Sequence, residues 1–203
     1  MNFLTHIMFS RTLYRHLSQK MDLDQKSFFY GNIKPDLSPQ CFRNPHILEN
    51  YLFPVYYDSN RLISQNPPVK EFSVELGVIC HHICDFFCYC HLNHTIYHKL
   101  FHHLFYEIRL HFVFCSMVVR NKINLKSGRK NPHENIASMV LNMRKEYMSK
   151  QRILSRDIEY ALQASLFACE LIDHLKASYT PFPVSSECIY SQPPHLQAFF
   201  VNT

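Results

Sequence analysis

Tryptophan is absent from this 203-residue chain, and glycine nearly so, at 3 residues. So little glycine excludes turn-rich β architectures and phosphate-cradling loops, both of which need residues free to take positive φ. Charged residues are scarce at 18%, but the hydrophobic share of 47% excludes a disordered chain. Long apolar runs are also missing. The most apolar stretches, such as Phe112 to Val119, are too short to span a bilayer. The start, Met1-Asn2-Phe3-Leu4-Thr5-His6, has no basic segment and no long apolar one, so no signal peptide is expected. No C-x-x-C pair occurs among the 8 cysteines, which argues against a cysteine-built zinc site. Cys80, Cys84 and Cys88 run down one face of a single rod and cannot pair comfortably with each other. They are expected as reduced, buried thiols in a reducing compartment, the cytoplasm.

What is present points to helices joined by proline-marked loops. One domain is expected over residues 1–203, with an irregular tail over 179–203 marked by Pro181, Pro183, Pro193 and Pro194. No internal repeat is found. The net charge of +5 permits an anionic substrate without requiring one. Histidine is abundant, at 14 residues, and concentrated between His81 and His111.

Apolar spacing predicts a helix from Leu4 to about Gln19. Residues 21–44 read as mostly loop, with Pro35 holding the backbone off helix and presenting Asp36. Asn44-Pro45-His46 reads as a helix start, with Asn44 the cap and Pro45 the first helical position. Further helices are expected over about 69–92, 95–119, 131–150 and 156–177. The fifth of these six would open on a capping box at Asn131-Pro132-His133-Glu134. Arg120 to Lys130 reads as a basic loop.

The first two of these later helices carry the chemistry, in the order His81-x3-Asp85-x5-His91-x11-His103-x3-Glu107. Residues i and i+4 share a helix face, so each His/carboxylate pair can aim two ligand atoms at one ion. Imidazole and carboxylate are the ligands of catalytic zinc sites. An Asp in the middle of a buried helix costs several kcal/mol unless it is paired or metal-bound. A hydrogen-bonded His81–Asp85 pair and a solvated stripe at His103 and Glu107 are the plainer alternatives.

The full set His6, Asp36, His46, His81, Asp85, His91, His103, Glu107 resembles the bacterial zinc-dependent phospholipase C family. Zinc-dependent single-strand nucleases share that fold. The match runs over roughly residues 1–110. It implies an all-α, compact multi-helix bundle with a metal cleft holding two to three Zn²⁺ ions. By this resemblance Asp36, His46, His81 and Asp85 hold one ion, and His91, His103 and Glu107 a second. His6 and Asp85 hold the third, with Asp85 bridging. In secreted members the third ion also takes the N-terminal amine of a tryptophan, a residue this chain lacks; no C-terminal lipid-binding domain is expected either.

The implied activity is phosphodiester hydrolysis of phospholipase C type. Hydroxide formed from water between two ions attacks the phosphorus of a phospholipid, and Asp36 accepts a proton. Lys34 or the Lys122–Lys130 loop would engage the phosphate. Contact with a membrane surface would be transient, and no obligate protein partner is expected. Two other readings stay open: a helical protein that binds zinc without turnover, and a nuclease for single strands.

Overall fold

The computed structural model describes residues 1–38, 44–92, 94–128 and 135–179, and every regular element among them is helical. α1 (Phe3–Leu17) starts at Asn2, whose side chain accepts from the Thr5 N–H at 2.9 Å. α2 (Gln25–Leu37) is capped in the same way by Asp24, which accepts from Ser27 N–H. α3 (Leu48–Gln65) and α4 (Val69–Phe86) follow. A 3₁₀ turn (Tyr89–His91) leads into the short α5 (His94–Tyr97) and then α6 (Leu100–Val119). α7 (Ile136–Met148) and α8 (Leu154–Ser178) complete the described chain.

α4 is the axis of the bundle. Every residue from Ile79 to Cys88 is buried, and α2, α3 and α8 pack around it. Its approach to α2 is close because two of the chain's glycines meet there. A methyl on Gly31 would overlap the Val74 carbonyl, and one on Gly77 would stand 2.5 Å from the Phe28 carbonyl oxygen. The lack of both side chains lets backbone rest on backbone. Phe9, Phe28, Phe86, Phe87 and Phe114 fill the core beside this crossing.

Several boundaries differ from expectation. Residues 25–37 form a helix rather than a loop, with Pro35 inside its last turn. A proline there removes only one late hydrogen bond, and the Asp24 cap with buried Phe28 outweighs it. The helix expected to open at Asn44 opens instead at Leu48 with Ile47 at the cap position, so His46 lies before it, in a tight turn where Ile47 N–H donates to Pro45 O at 2.8 Å. α4 stops at Phe86 rather than near residue 92, and the helix expected over 95–119 is broken between Tyr97 and Leu100. α7 is capped by Asn135, which accepts from Ser138 N–H at 2.8 Å. The capping box expected at Asn131–Glu134, the basic pair Arg129 and Lys130, and the tail from 180 lie outside the described residues. All six described cysteines are free, with Cys80 Sγ and Cys169 Sγ 3.3 Å apart between α4 and α8. No described helix is long and apolar enough to cross a membrane.

Candidate metal centre

Asp85 is the hub. Burial in the last turn of α4 leaves its side chain with no solvent exposure. Its Oδ2 lies 3.3 Å from His46 Nδ1, 3.4 Å from His81 Nε2 and 3.6 Å from His91 Nδ1. Its Oδ1 lies 3.4 Å from His6 Nε2 and accepts from the α-amine of Met1. That amine also stands 3.1 Å from His91 Nε2 and 3.4 Å from Glu107 Oε1.

The breaks in the helices are what close this cluster. Residues 85 and 91 on one continuous α-helix would project about 120° apart. Ending α4 at Phe86 and turning through Cys88 brings His91 back beside Asp85. α2 contributes Asp36, whose Oδ1 is 3.6 Å from His81 Nε2 and 3.8 Å from His46 Nδ1, while its Oδ2 is 4.0 Å from His6 Nε2. His103 and Glu107 meet across one turn of α6, Nε2 to Oε1 at 2.9 Å, and His91 Nε2 reaches the same oxygen at 3.2 Å. All eight residues singled out from the sequence therefore converge on one region.

Three of the imidazoles are oriented by backbone carbonyls. His81 Nδ1 donates to Asn32 O at 2.8 Å, His91 Nδ1 to His46 O at 3.0 Å, and His103 Nδ1 to Tyr97 O at 3.1 Å. A carbonyl partner fixes the proton on Nδ1 and leaves the Nε2 lone pair facing the cluster. The turn at His46 and the break after Tyr97 leave two of those carbonyls outside a continuing helical ladder.

His82 is a further member that the sequence reading passed over. Groups of ligand atoms lying within 4.8 Å of one another are His46–His81–His82, His6–His81–Asp85 and His91–His103–Glu107. His82 is buried, its ring stacks on Tyr51 at 4.1 Å, and its Nδ1 makes no hydrogen bond. The adjacent His81-His82 pair was visible as sequence, but nothing in the spacing separated His82 from its neighbour.

The electrostatics suit a cation. Burial, with the neighbouring imidazoles, pushes His81 well down and His82 down to about 3, so both are neutral lone-pair donors. Burial alone would raise the Asp85 carboxyl, but His91, the Met1 amine and His6 outweigh it and hold Asp85 well below the usual range. Glu107 is likewise held down despite its burial by the amine, His103 and His91. No Lys or Arg among the described residues pairs with Asp85 or Glu107. His6, wholly buried and stacked on His81 at 3.9 Å, has no hydrogen bond at either ring nitrogen. Two buried carboxylates faced by the Met1 ammonium but by no Lys or Arg, the neutral rings of His81 and His82 and the orphaned ring of His6 make a donor set of the kind Zn²⁺ takes.

The groups expected to meet phosphate separate. Lys34, exposed on α2, lines a cavity of about 210 Å³ with Ser38, His46, Tyr51 and His82. Lys122 and Lys126 of the basic loop are not among the residues that line it. Lys122 lies fifteen residues beyond Glu107, roughly 20 Å along the α6 axis, and Lys126 N–H donates to Gln163 on α8.

Residues 5–156 match the family described as zinc dependent phospholipase C. No curated protein and no solved structure gives a significant match. The matched span covers more than half of the chain and contains every residue of the cluster except Met1. Family, all-helical fold and His/carboxylate cluster agree: the chain belongs to the zinc-dependent phospholipase C family.

Proposed function

We propose that this protein hydrolyses a phospholipid phosphodiester with zinc held at the Asp85 hub. The observation that carries this reading is Asp85 Oδ2, 3.3–3.6 Å from the rings of His46, His81 and His91 with no basic side chain to neutralise it. Asp36, His46, His81 and Asp85 would hold one ion, and His91, His103 and Glu107 a second. His6 and Asp85, with the Met1 amine beside them, would hold a third. Bound zinc supplies Lewis acidity toward the phosphoryl oxygens and lowers the pKa of a coordinated water to about 7.

The chain's own groups do the rest. Asp36 is the carboxylate of the three most open to solvent, its side chain 23% exposed against 11% for Glu107. Burial still raises its pKa, which makes it the better proton acceptor near the attacking water. Lys34 places a positive charge on the cavity beside His46, where it attracts the substrate phosphate. The carbonyls of Asn32, His46 and Tyr97 keep the imidazoles from rotating as charge shifts between them.

The outer face of α6 favours lipid over nucleic acid. Opposite His103 and Glu107 it exposes Phe101, Leu104, Phe105, Ile108 and Phe112 to solvent, with Phe101 78% exposed. No acidic residue shares that face. Arg109 and Arg152 border it, lining with Phe105 a groove of about 650 Å³. An apolar strip with a cationic rim suits an anionic bilayer surface, and seating it there sets the metal helix against the lipid.

The test is elemental analysis of protein purified without chelator, paired with hydrolysis of a chromogenic phosphocholine ester. Asp85→Asn is expected to lose at least one zinc per chain and to cut turnover about 100-fold or more. Zinc bound at full stoichiometry with no turnover of any diester would sink the enzymatic reading.

A further inference from the structure

A second cluster, built on sulfur, lies between α1 and α6. Its orientation can be read proton by proton. Asn2 Nδ2 donates to the Glu107 carbonyl at 3.2 Å, which fixes the amide and leaves Oδ1 as acceptor. That oxygen takes both the Thr5 N–H at 2.9 Å and the Thr5 hydroxyl proton at 2.8 Å. Thr5 Oγ1 has then spent its only proton and can only accept from His111 Nδ1, 3.1 Å away. His111 is therefore protonated on Nδ1, and its Nε2 carries the lone pair. That lone pair stands 3.6 Å from Cys115 Sγ, which is itself 3.9 Å from Met8 Sδ.

One thiol proton thus faces two acceptors and can satisfy one. A cation in its place would satisfy both. Three-coordinate bonds of about 2.0–2.3 Å at 120° put donor atoms about 3.7–4.0 Å apart, close to the two separations found. Thiolate, thioether and imidazole, with no oxygen donor among them, select a soft monovalent ion over zinc, calcium or magnesium. Met8, His111 and Cys115 are all half-buried, so an ion can reach them. We infer that Met8 Sδ, His111 Nε2 and Cys115 Sγ form a copper(I) site distinct from the zinc centre. Binding forms one Cu–thiolate bond, one Cu–thioether bond and one Cu–imidazole bond and releases the thiol proton, with no change of oxidation state.

The test uses full-length protein saturated with zinc, titrated anaerobically with Cu(I) buffered by a bathocuproine chelator. One further metal per chain is expected, with X-ray absorption showing two sulfur neighbours and one nitrogen. Cys115→Ser is expected to weaken retention at least about tenfold, and Met8→Leu to remove one sulfur neighbour, both with zinc content unchanged. No copper retained against the chelator overturns the inference. So does copper retained with the same neighbours in both variants, which would place it on the other thiols.

Discussion

Asp157 is a buried carboxyl that forms no ion pair among the described residues, although Arg109 and Arg152 line the same groove. Its Oδ1 accepts from Tyr147 Oη at 2.9 Å and its Oδ2 from Tyr89 N–H at 3.3 Å. Burial raises its pKa to about 7. The folded state therefore holds this proton more tightly than the unfolded chain does. Its contribution to stability is full below the ordinary carboxylate pKa and is lost as pH rises toward about 7, a change of order 2–4 kcal/mol. Asp157→Asn keeps the acceptor and cannot ionise. Calorimetry at pH 5 and pH 8 should show a smaller drop in melting temperature for the variant than for the parent; equal drops would contradict this. At this scale the sequence showed part of the candidate zinc centre. His81 with Asp85 and His103 with Glu107 were legible because a helix repeats its face every four residues. His6, Asp36 and His46 sit on three other segments, so spacing alone did not link them, and the family resemblance did. His82 and the carbonyl partners were not legible, since a backbone oxygen leaves no mark in a side-chain pattern.

Two elements carry predictions. α2 and α4 meet at Gly31 and Gly77, and the same contact brings the Asn32 carbonyl to His81. Gly77→Ala would force the helices apart, costing about 1–3 kcal/mol. It should also lower zinc content although no ligand is altered; a variant that melts earlier yet keeps full zinc would separate the two effects. On α6, serine at Phe101, Phe105 and Phe112 together removes exposed side chains that the core does not need. Flotation with vesicles of phosphatidylcholine and phosphatidylglycerol should fall about tenfold, while hydrolysis of a water-soluble diester is unchanged. Unchanged flotation, or a parent dimer that the variant breaks, would assign the strip to another use. Helix existence was readable from apolar periodicity in most places. α2 was not, because its buried face consists of Phe28, Gly31 and Asn32 rather than an aliphatic stripe, and Pro35 gave a misleading stop signal.

For the whole molecule, the candidate metal centre and the core are one structure. Asp85 and His6 are fully buried, so a centre that holds zinc would on losing it leave a buried carboxylate short of a partner and the His6 ring without a hydrogen bond. Chelation should lower the melting temperature by roughly 10 °C, taking about 3–4 kcal/mol of linked stability and 2–4 °C per kcal/mol. Restoring zinc should recover it; insensitivity to chelator would mean that the cluster stands on hydrogen bonds alone. Scarce glycine and proline-marked loops pointed to long helices, and the family resemblance implied the all-α bundle that is found. The breaks at Phe86 and Tyr97 were not legible, because they depend on which ring meets which oxygen in space, and the apolar pattern does not record that.

Asn32, His46 and Tyr97 steer three rings through atoms that every amino acid possesses. Exchanging the side chain at any of them cannot delete the oxygen that does the steering. This outer layer is therefore hard to damage by point mutation and easy to damage by a shift in the path of the chain. Inherited variation should accordingly spare it, whereas insertions near residues 32, 46 or 97 should abolish metal uptake even with every ligand in place.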